Sequence, residues 1–522
     1  MLGRSGLSSI YCSLRSRGSN LALASLRRAP RSSLTLFLFF TLSLVNSAIL
    51  LGGCGSGMST PIIPPPPPGP TTVAVLLSST ANDKLTNFDL SIANITLADK
   101  AGNSVVLYNN PNALAPGSLS ATEFMHLNGV SEPLVAVSVP QGTYSAATVT
   151  AGWCDFTNVF NTPGGGLERS TYAEAQCGQG TGNTTVNLPS PITISASPIA
   201  LSLNLQVPQS YTLNGMGASA TYTISPVFTL TPVPVFSPPT NEQNGKISEV
   251  DAQVASINAT GSGFVAKTSD GFSLNVKADN STLYQGVAGF STLAAGTLVN
   301  MDLAIQPDAS LLATRIEVDD IVAPAVVTGP LFPPLAQAGL IATNPIEHEG
   351  CAFPAGSIPE CTVFFQVGSS TVFTVSGQLS NLQNLPFTPN FAAATTFTGQ
   401  NLSIFSSGTP VAGHSEQIAT TIALRPQSLT GTVTAVSNSN GFNIYTVALA
   451  PYDLIPTLQA YSNPGNRLSN PNAVIVYADT NTHLLNSAPI GIGSVLRFRG
   501  LLFDDSGTVR MDCAQINDGV PE

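Results

Sequence analysis

Phe88–Leu97 reads FDLSIANITL, a run in which apolar residues are separated by Asp, Ser, Asn and Thr. Such two-residue alternation marks a strand with one face toward a core and the other toward polar surroundings. Working outward, Ser104–Tyr108, Leu134–Val139, Ser145–Thr150 and Ala200–Val207 are also of strand length, and turn residues separate them, as at Ala101-Gly102-Asn103 and Pro140-Gln141-Gly142. No long stretch keeps a 3.6-residue apolar period. The chain is therefore expected to be all-β, with residues 72–236 closing as an N-terminal β-sandwich, the natural solution for many short antiparallel strands.

The 522 residues are too many for one core and suggest three or four domains. Charged residues make up 9% of the chain, against about 25% in ordinary soluble proteins. The 43% apolar content is ample for packed cores and argues against wholesale disorder. Charge is unevenly placed. Six of the 18 basic residues precede residue 32 and no acid precedes Cys54, so the chain beyond residue 53 carries 12 basic against 29 acidic side chains, a net of −17. Such a body repels phosphate backbones, which excludes nucleic acid as a natural partner.

Residues 34–51, LTLFLFFTLSLVNSAILL, follow the arginine-rich start and end at Leu51-Gly52-Gly53-Cys54. A positive region, an apolar core and small residues at a cut form a signal pattern. The competing reading is a membrane anchor, since 18 residues nearly suffice to span a bilayer. The junction resembles the bacterial lipobox. That resemblance implies a signal over 1–53, lipidation of Cys54, attachment to the membrane through that lipid and, with Gly55 rather than Asp in second place, outer-membrane delivery. Residues 54–71 contain five consecutive prolines, Pro64 to Pro68, which favour a semi-rigid polyproline tether of roughly 3 Å per residue. Cysteine usage fits an oxidising space: Cys154 with Cys177 and Cys351 with Cys361 are expected as local disulfides. Cys513 is left over, either a buried thiol or a competitor for Cys351 or Cys361.

The remainder reads as a repeat. Gly245–Asp320 and Gly431–Asp518 each have a Gly-led strand, an internal hairpin with Asp or Asn near its tip, a Gly-initiated strand, a polar turn and a closing strand. Residues 245–320, 321–428 and 429–522 are taken as three copies, the middle one diverged. By the alternation, Val299, Met301 and Leu303 should point inward, as should Val495 with one alternate set of the residues after it. FDLSIANITLADKAGNSVVLY at 88–108, HLNGVSEPL at 126–134 and VPQGTYSAATVT at 139–150 resemble an uncharacterised bacterial lipoprotein family. That family has an N-terminal transthyretin-like sandwich of unknown function, followed by OB-like β-barrel repeats of unknown function. The resemblance implies two or three small OB-like barrels after the sandwich and adds little chemistry.

No nucleophile elbow, HExxH helix, P-loop or dinucleotide fingerprint is present, so no catalytic residue is assigned and no cofactor or metal is expected. Weak candidates for ligand contact are Trp153, the lone tryptophan, and Glu347, His348 and Glu349 beside Cys351. The bland readings are a packed Trp beside a disulfide and a solvated loop. DDSG at 504–507 is read as a hairpin turn rather than a calcium loop. The functional expectation is a non-catalytic binding or scaffolding role at the cell envelope, toward a glycan or an envelope protein. The rival is a secreted carbohydrate-active enzyme. Replacing Cys54 by Ala should release the protein from membranes or block processing. Unchanged mass and membrane retention in Cys54→Ala would overturn the lipoprotein reading.

Overall fold

The computed structural model describes residues 69–520 apart from 115–120, 163, 178–181, 259–260, 322, 324, 334–339, 344–362, 377–381, 411–415 and 463–467. Cys54, the tether up to residue 68, Glu347, His348, Glu349 and the Cys351–Cys361 pair lie outside the described residues. The all-β expectation holds: among the described residues the only α-helices are the short Val207–Ser210 and Leu454–Gln459.

The first unit comprises β1 (Pro70–Thr80), β2 (Leu85–Asp99), β3 (Ser104–Asn109), β4 (Ala121–Glu123), β5 (Ser131–Pro140), β6 (Gly142–Asn161), β7 (Leu167–Glu174), β8 (Asn183–Val186), β9 (Ile192–Ile194), β10 (Ile199–Gln206), β11 (Tyr211–Asn214), β12 (Thr221–Ile224) and β13 (Phe228–Pro234). One sheet runs β13-β10-β1-β5; the other runs β3-β2-β6-β7, with β4 on β2 and with β8 and β9 on β6. Val73, Val75 and Leu77 of β1 and Leu201, Leu203 and Leu205 of β10 pack against Phe88, Leu90, Val149 and Phe156 of the second sheet. The apolar residues of β2 change phase, from Phe88, Leu90 and Ile92 to Ile95 and Leu97. Irregularities in pairing with β6 between Leu90 and Ile92 and between Ile92 and Asn94 absorb the change, as β-bulges do by re-aiming side chains. Cys154 and Cys177 are joined in a disulfide with their Cα atoms 5.7 Å apart.

Three barrels follow. The first is β14 (Lys246–Ile257), β15 (Gly263–Thr268), β16 (Ser273–Lys277), β17 (Leu283–Gln285), β18 (Leu298–Ile305) and β19 (Leu311–Glu317). The second is β20 (Ala325–Phe332), β21 (Leu340–Thr343), β22 (Val363–Gln366), β23 (Val372–Val375), β24 (Asn401–Pro410) and β25 (Gln417–Leu424). The third is β26 (Gln427–Ser439), β27 (Phe442–Ala448), β28 (Ala473–Leu484), β29 (Val495–Asp505) and β30 (Thr508–Asp518). All three share one connectivity. The orders are β16-β15-β14-β18-β19, β22-β21-β20-β24-β25 and β28-β27-β26-β29-β30, and each closes through a parallel pairing, β16 with β19, β22 with β25 and β28 with β30. This is a five-stranded Greek-key barrel of the OB type.

A local device recurs at each closure. Thr282, Thr371 and Thr482 each donate a hydroxyl hydrogen bond of 2.8 Å to a carbonyl on the last strand, those of Ala313, Ala419 and Cys513. Each also accepts from the backbone N–H three residues earlier, those of Asp279, Gly368 and Asp479. A hydroxyl is both donor and acceptor, so one Thr pins the end of the third strand, or the corner after it, to the seam.

Val299, Met301 and Leu303 do enter the first barrel's core. In β29 the inward set is Leu496 and Phe498, while Val495, at the strand's start, is only half-buried, which corrects the expectation for Val495. The DDSG segment is a two-residue hairpin turn: Ser506 and Gly507 have φ of 56° and 85°, the two positive values a type I′ turn requires. Gly500 sits at a bulge in β29, where an added Cβ would lie 2.0 Å from the Asp512 carbonyl oxygen. Gly500→Ala should therefore destabilise by about 3 kcal/mol or more. Gly102→Ala, in open space at φ +86°, should cost only about 1–2 kcal/mol. Urea unfolding of the two variants should show this ranking, and equal midpoints would contradict the packing at Gly500.

Candidate functional site at the junction of the four units

The β1–β2 turn and the β4–β5 loop of the sandwich carry the side chains that meet the barrels. Asp83 accepts through Oδ2 from the Thr430 N–H at 2.7 Å, and its carbonyl accepts from the Leu454 N–H at 2.8 Å. Asn128 accepts through its carbonyl from Ser428 Oγ and through Oδ1 from Arg497 Nη1 at 2.8 Å, while Gln515 Nε2 donates to the Gly129 carbonyl at 2.9 Å. Barrel three meets barrel one through an Arg499–Glu249 ion pair. Barrel two meets barrel one through Arg425 Nη2 and Asp319 Oδ2 at 2.8 Å, and Asp320 Oδ2 accepts from Thr420 and Thr421 at 2.7 and 3.0 Å. The acid pair Asp319-Asp320 thus serves an interface.

Around these contacts lies a cavity of about 110 Å³ to which all four units contribute: Asp83 and His126 from the sandwich, Asn300 from barrel one, Asn401 from barrel two, and Asp453 and Arg499 from barrel three. Two of its lining residues, Asn401 and Arg499, each carry a buried polar atom, Oδ1 and Nε, with no hydrogen-bond partner. Burial pulls the Arg499 guanidinium down to about 10 and does the same to Arg497. Asp453 is pushed up to about 6, chiefly by burial, with the Ala450 N–H and Lys84 working against the rise.

Beside the cavity runs a row of acids. Glu123 of β4, Asp89 of β2 and Asp155 of β6 face one another across adjacent strands, and all are buried. Burial, with Asp89 next to it, drives Asp155 well above the usual carboxylate range. Glu123 is held by the N–H groups of Phe88, Met125 and His126 at 2.9, 2.7 and 2.8 Å. Alternation assigns Asp89 to a polar face but says nothing of what covers it. Nearby on this sheet, Val159 of β6 and Leu167 of β7 pack against Phe332, Ala342 and Leu458.

Of the sequence candidates, Trp153 is half-buried and stands outside the sandwich core, to which its neighbour Cys154 belongs. Glu347, His348 and Glu349 fall outside the described residues. Cys513 is the free cysteine among the described residues, its thiol pushed far up by burial. Compared with protein families and with curated proteins, the chain matches no family model and no curated sequence.

Asp453 generates a pH signature. Its folded value of about 6 stands above its ordinary 3.8. Between these limits the folded protein keeps a proton that the unfolded chain releases, so this residue makes stability fall as pH rises through that window. Asp453→Asn should flatten that part of the stability profile, as read from denaturation midpoints between pH 4 and about 6.5. An unchanged slope would contradict the burial of this carboxyl.

Proposed function

We propose that the protein is an exported, lipid-anchored, non-catalytic binding protein of the bacterial envelope, tethered to the outer membrane through Cys54, whose four β units surround a site for a saccharide-sized ligand. The observation that carries the reading is the junction cavity, two of whose lining residues, Asn401 and Arg499, hold a buried polar atom without a partner. Buried polar groups call for partners, and a sugar hydroxyl both donates to an amide oxygen and accepts from a guanidinium. Cavities between domains are favoured places for small ligands. The acidic net charge argues against nucleic acid.

The test is a glycan screen of the full chain in detergent, followed by calorimetry on the hits. Binding in the micromolar to millimolar range is expected, about −8 to −4 kcal/mol, and Asn401→Ala should weaken it about tenfold. No binding by a folded protein would end the saccharide reading, and release of new reducing ends would move it to the carbohydrate-active enzyme.

A further inference from the structure

We infer that His126, Glu132 and Asp270 form a site for one divalent transition-metal ion, with zinc the best match, joining the sandwich to the first barrel. His126 follows β4, Glu132 lies in β5, and Asp270 stands at the tip of the β15–β16 hairpin, where Gly271 takes φ +86° and its N–H closes the turn onto the Thr268 carbonyl. One ligand atom from each of the three residues lies within 4.8 Å of the others. Tetrahedral bonds of about 2.1 Å hold ligand atoms about 3.4 Å apart, so closure around an ion takes only small side-chain movements.

Three further observations favour an ion. Glu132 and Asp270 are each 5% exposed, a costly place for two carboxylates. Glu132 Oε1 is buried with no hydrogen-bond partner, while its Oε2 faces His126 Nε2 at 3.3 Å. Glu123, itself held by three backbone N–H groups, faces His126 Nδ1 at 3.2 Å. With carboxylates at both ring nitrogens, His126 is either an imidazolium bonded to Glu123 and Glu132 or, with its proton on Nδ1 toward Glu123, a ligand whose Nε2 faces Glu132, the arrangement by which outer carboxylates orient metal-binding histidines. In the second state the Nε2 lone pair and the Glu132 carboxylate share a cation. A proton on Nε2 offsets one carboxylate charge at this place, and a divalent ion offsets two. One imidazole with two carboxylates suits zinc, and three protein ligands leave a coordination position for water.

The site does not depend on the saccharide reading. The full chain, stripped with a chelator, is titrated with zinc chloride by calorimetry, and bound metal is counted after dialysis. One equivalent should bind and raise the unfolding temperature. Asp270→Asn and His126→Gln should each weaken binding at least 10-fold, and Glu123→Gln, a positioning change, should weaken it by about 10–100-fold. X-ray absorption on the zinc-loaded wild type, which needs no variant to fold, should report one nitrogen and two carboxylate oxygens from the protein. Failure of the stripped wild type to bind zinc, or unaltered affinity in folded Asp270→Asn, would overturn the assignment.

Discussion

A guanidinium cannot shed its charge, so an arginine taken out of water must be met by acceptors in fixed positions. Four of the seven arginines beyond residue 53, namely Arg315, Arg425, Arg497 and Arg499, are less than 10% exposed. They stand where one β unit meets the next. Arg315 is held by Asp302, Glu317 and Asn300, and Glu317 in turn accepts from Ser376 of barrel two. Arg425 reaches Asp319, Arg497 reaches Asn128 and Arg499 reaches Glu249. Apolar contact between two barrels tolerates sliding, whereas these pairs do not. Removing one partner would strand a buried charge, a loss of about 3–5 kcal/mol. The positions of the units, and hence the shape of the cavity among them, are constrained by where these barrel arginines must go.

Strand alternation was readable because a half-buried strand writes its inner face into every second residue. Phe88 and Leu90, or Val299, Met301 and Leu303, declare the core without help from elsewhere in the chain. The repeat was readable because turns need particular residues, and the Asp279 and Asp479 corners use the same Asp-x-x-Thr chemistry. Cys154 and Cys177 were close enough in sequence to pair on compartment and spacing. Val495 was misplaced because alternation gives a period and not a starting phase.

The outer faces were a different problem. Asp89, Asn300, Asp302 and Glu317 sit at polar positions of alternating strands, where exposure is the natural expectation, yet all are buried. Asn300, Asp302 and Glu317 lie against residues of other units of the same chain, and a pattern local to one strand carries no information about that. The same reason hides His126, Glu132 and Asp270: the first two are six residues apart and the third comes from another domain, a spacing that matches no ligand motif. Sequence reading drew attention to Glu347, His348 and Glu349 because charges adjacent along the chain are conspicuous. The charges that meet in space come from turns and strand ends scattered over four units.

The place of β1 in its sheet has a mechanical consequence. This strand begins at Pro70, directly after the proline-rich stretch, and is bonded on both sides, to β10 in parallel over seven residue pairs and to β5 antiparallel. A pull on the chain ahead of Pro70 runs along the strand axis, so it loads both ladders at once in shear and cannot peel one bond at a time. An edge strand in that position would unzip under small forces. A central one makes the first described strand a handle that resists a pull from the N-terminal side.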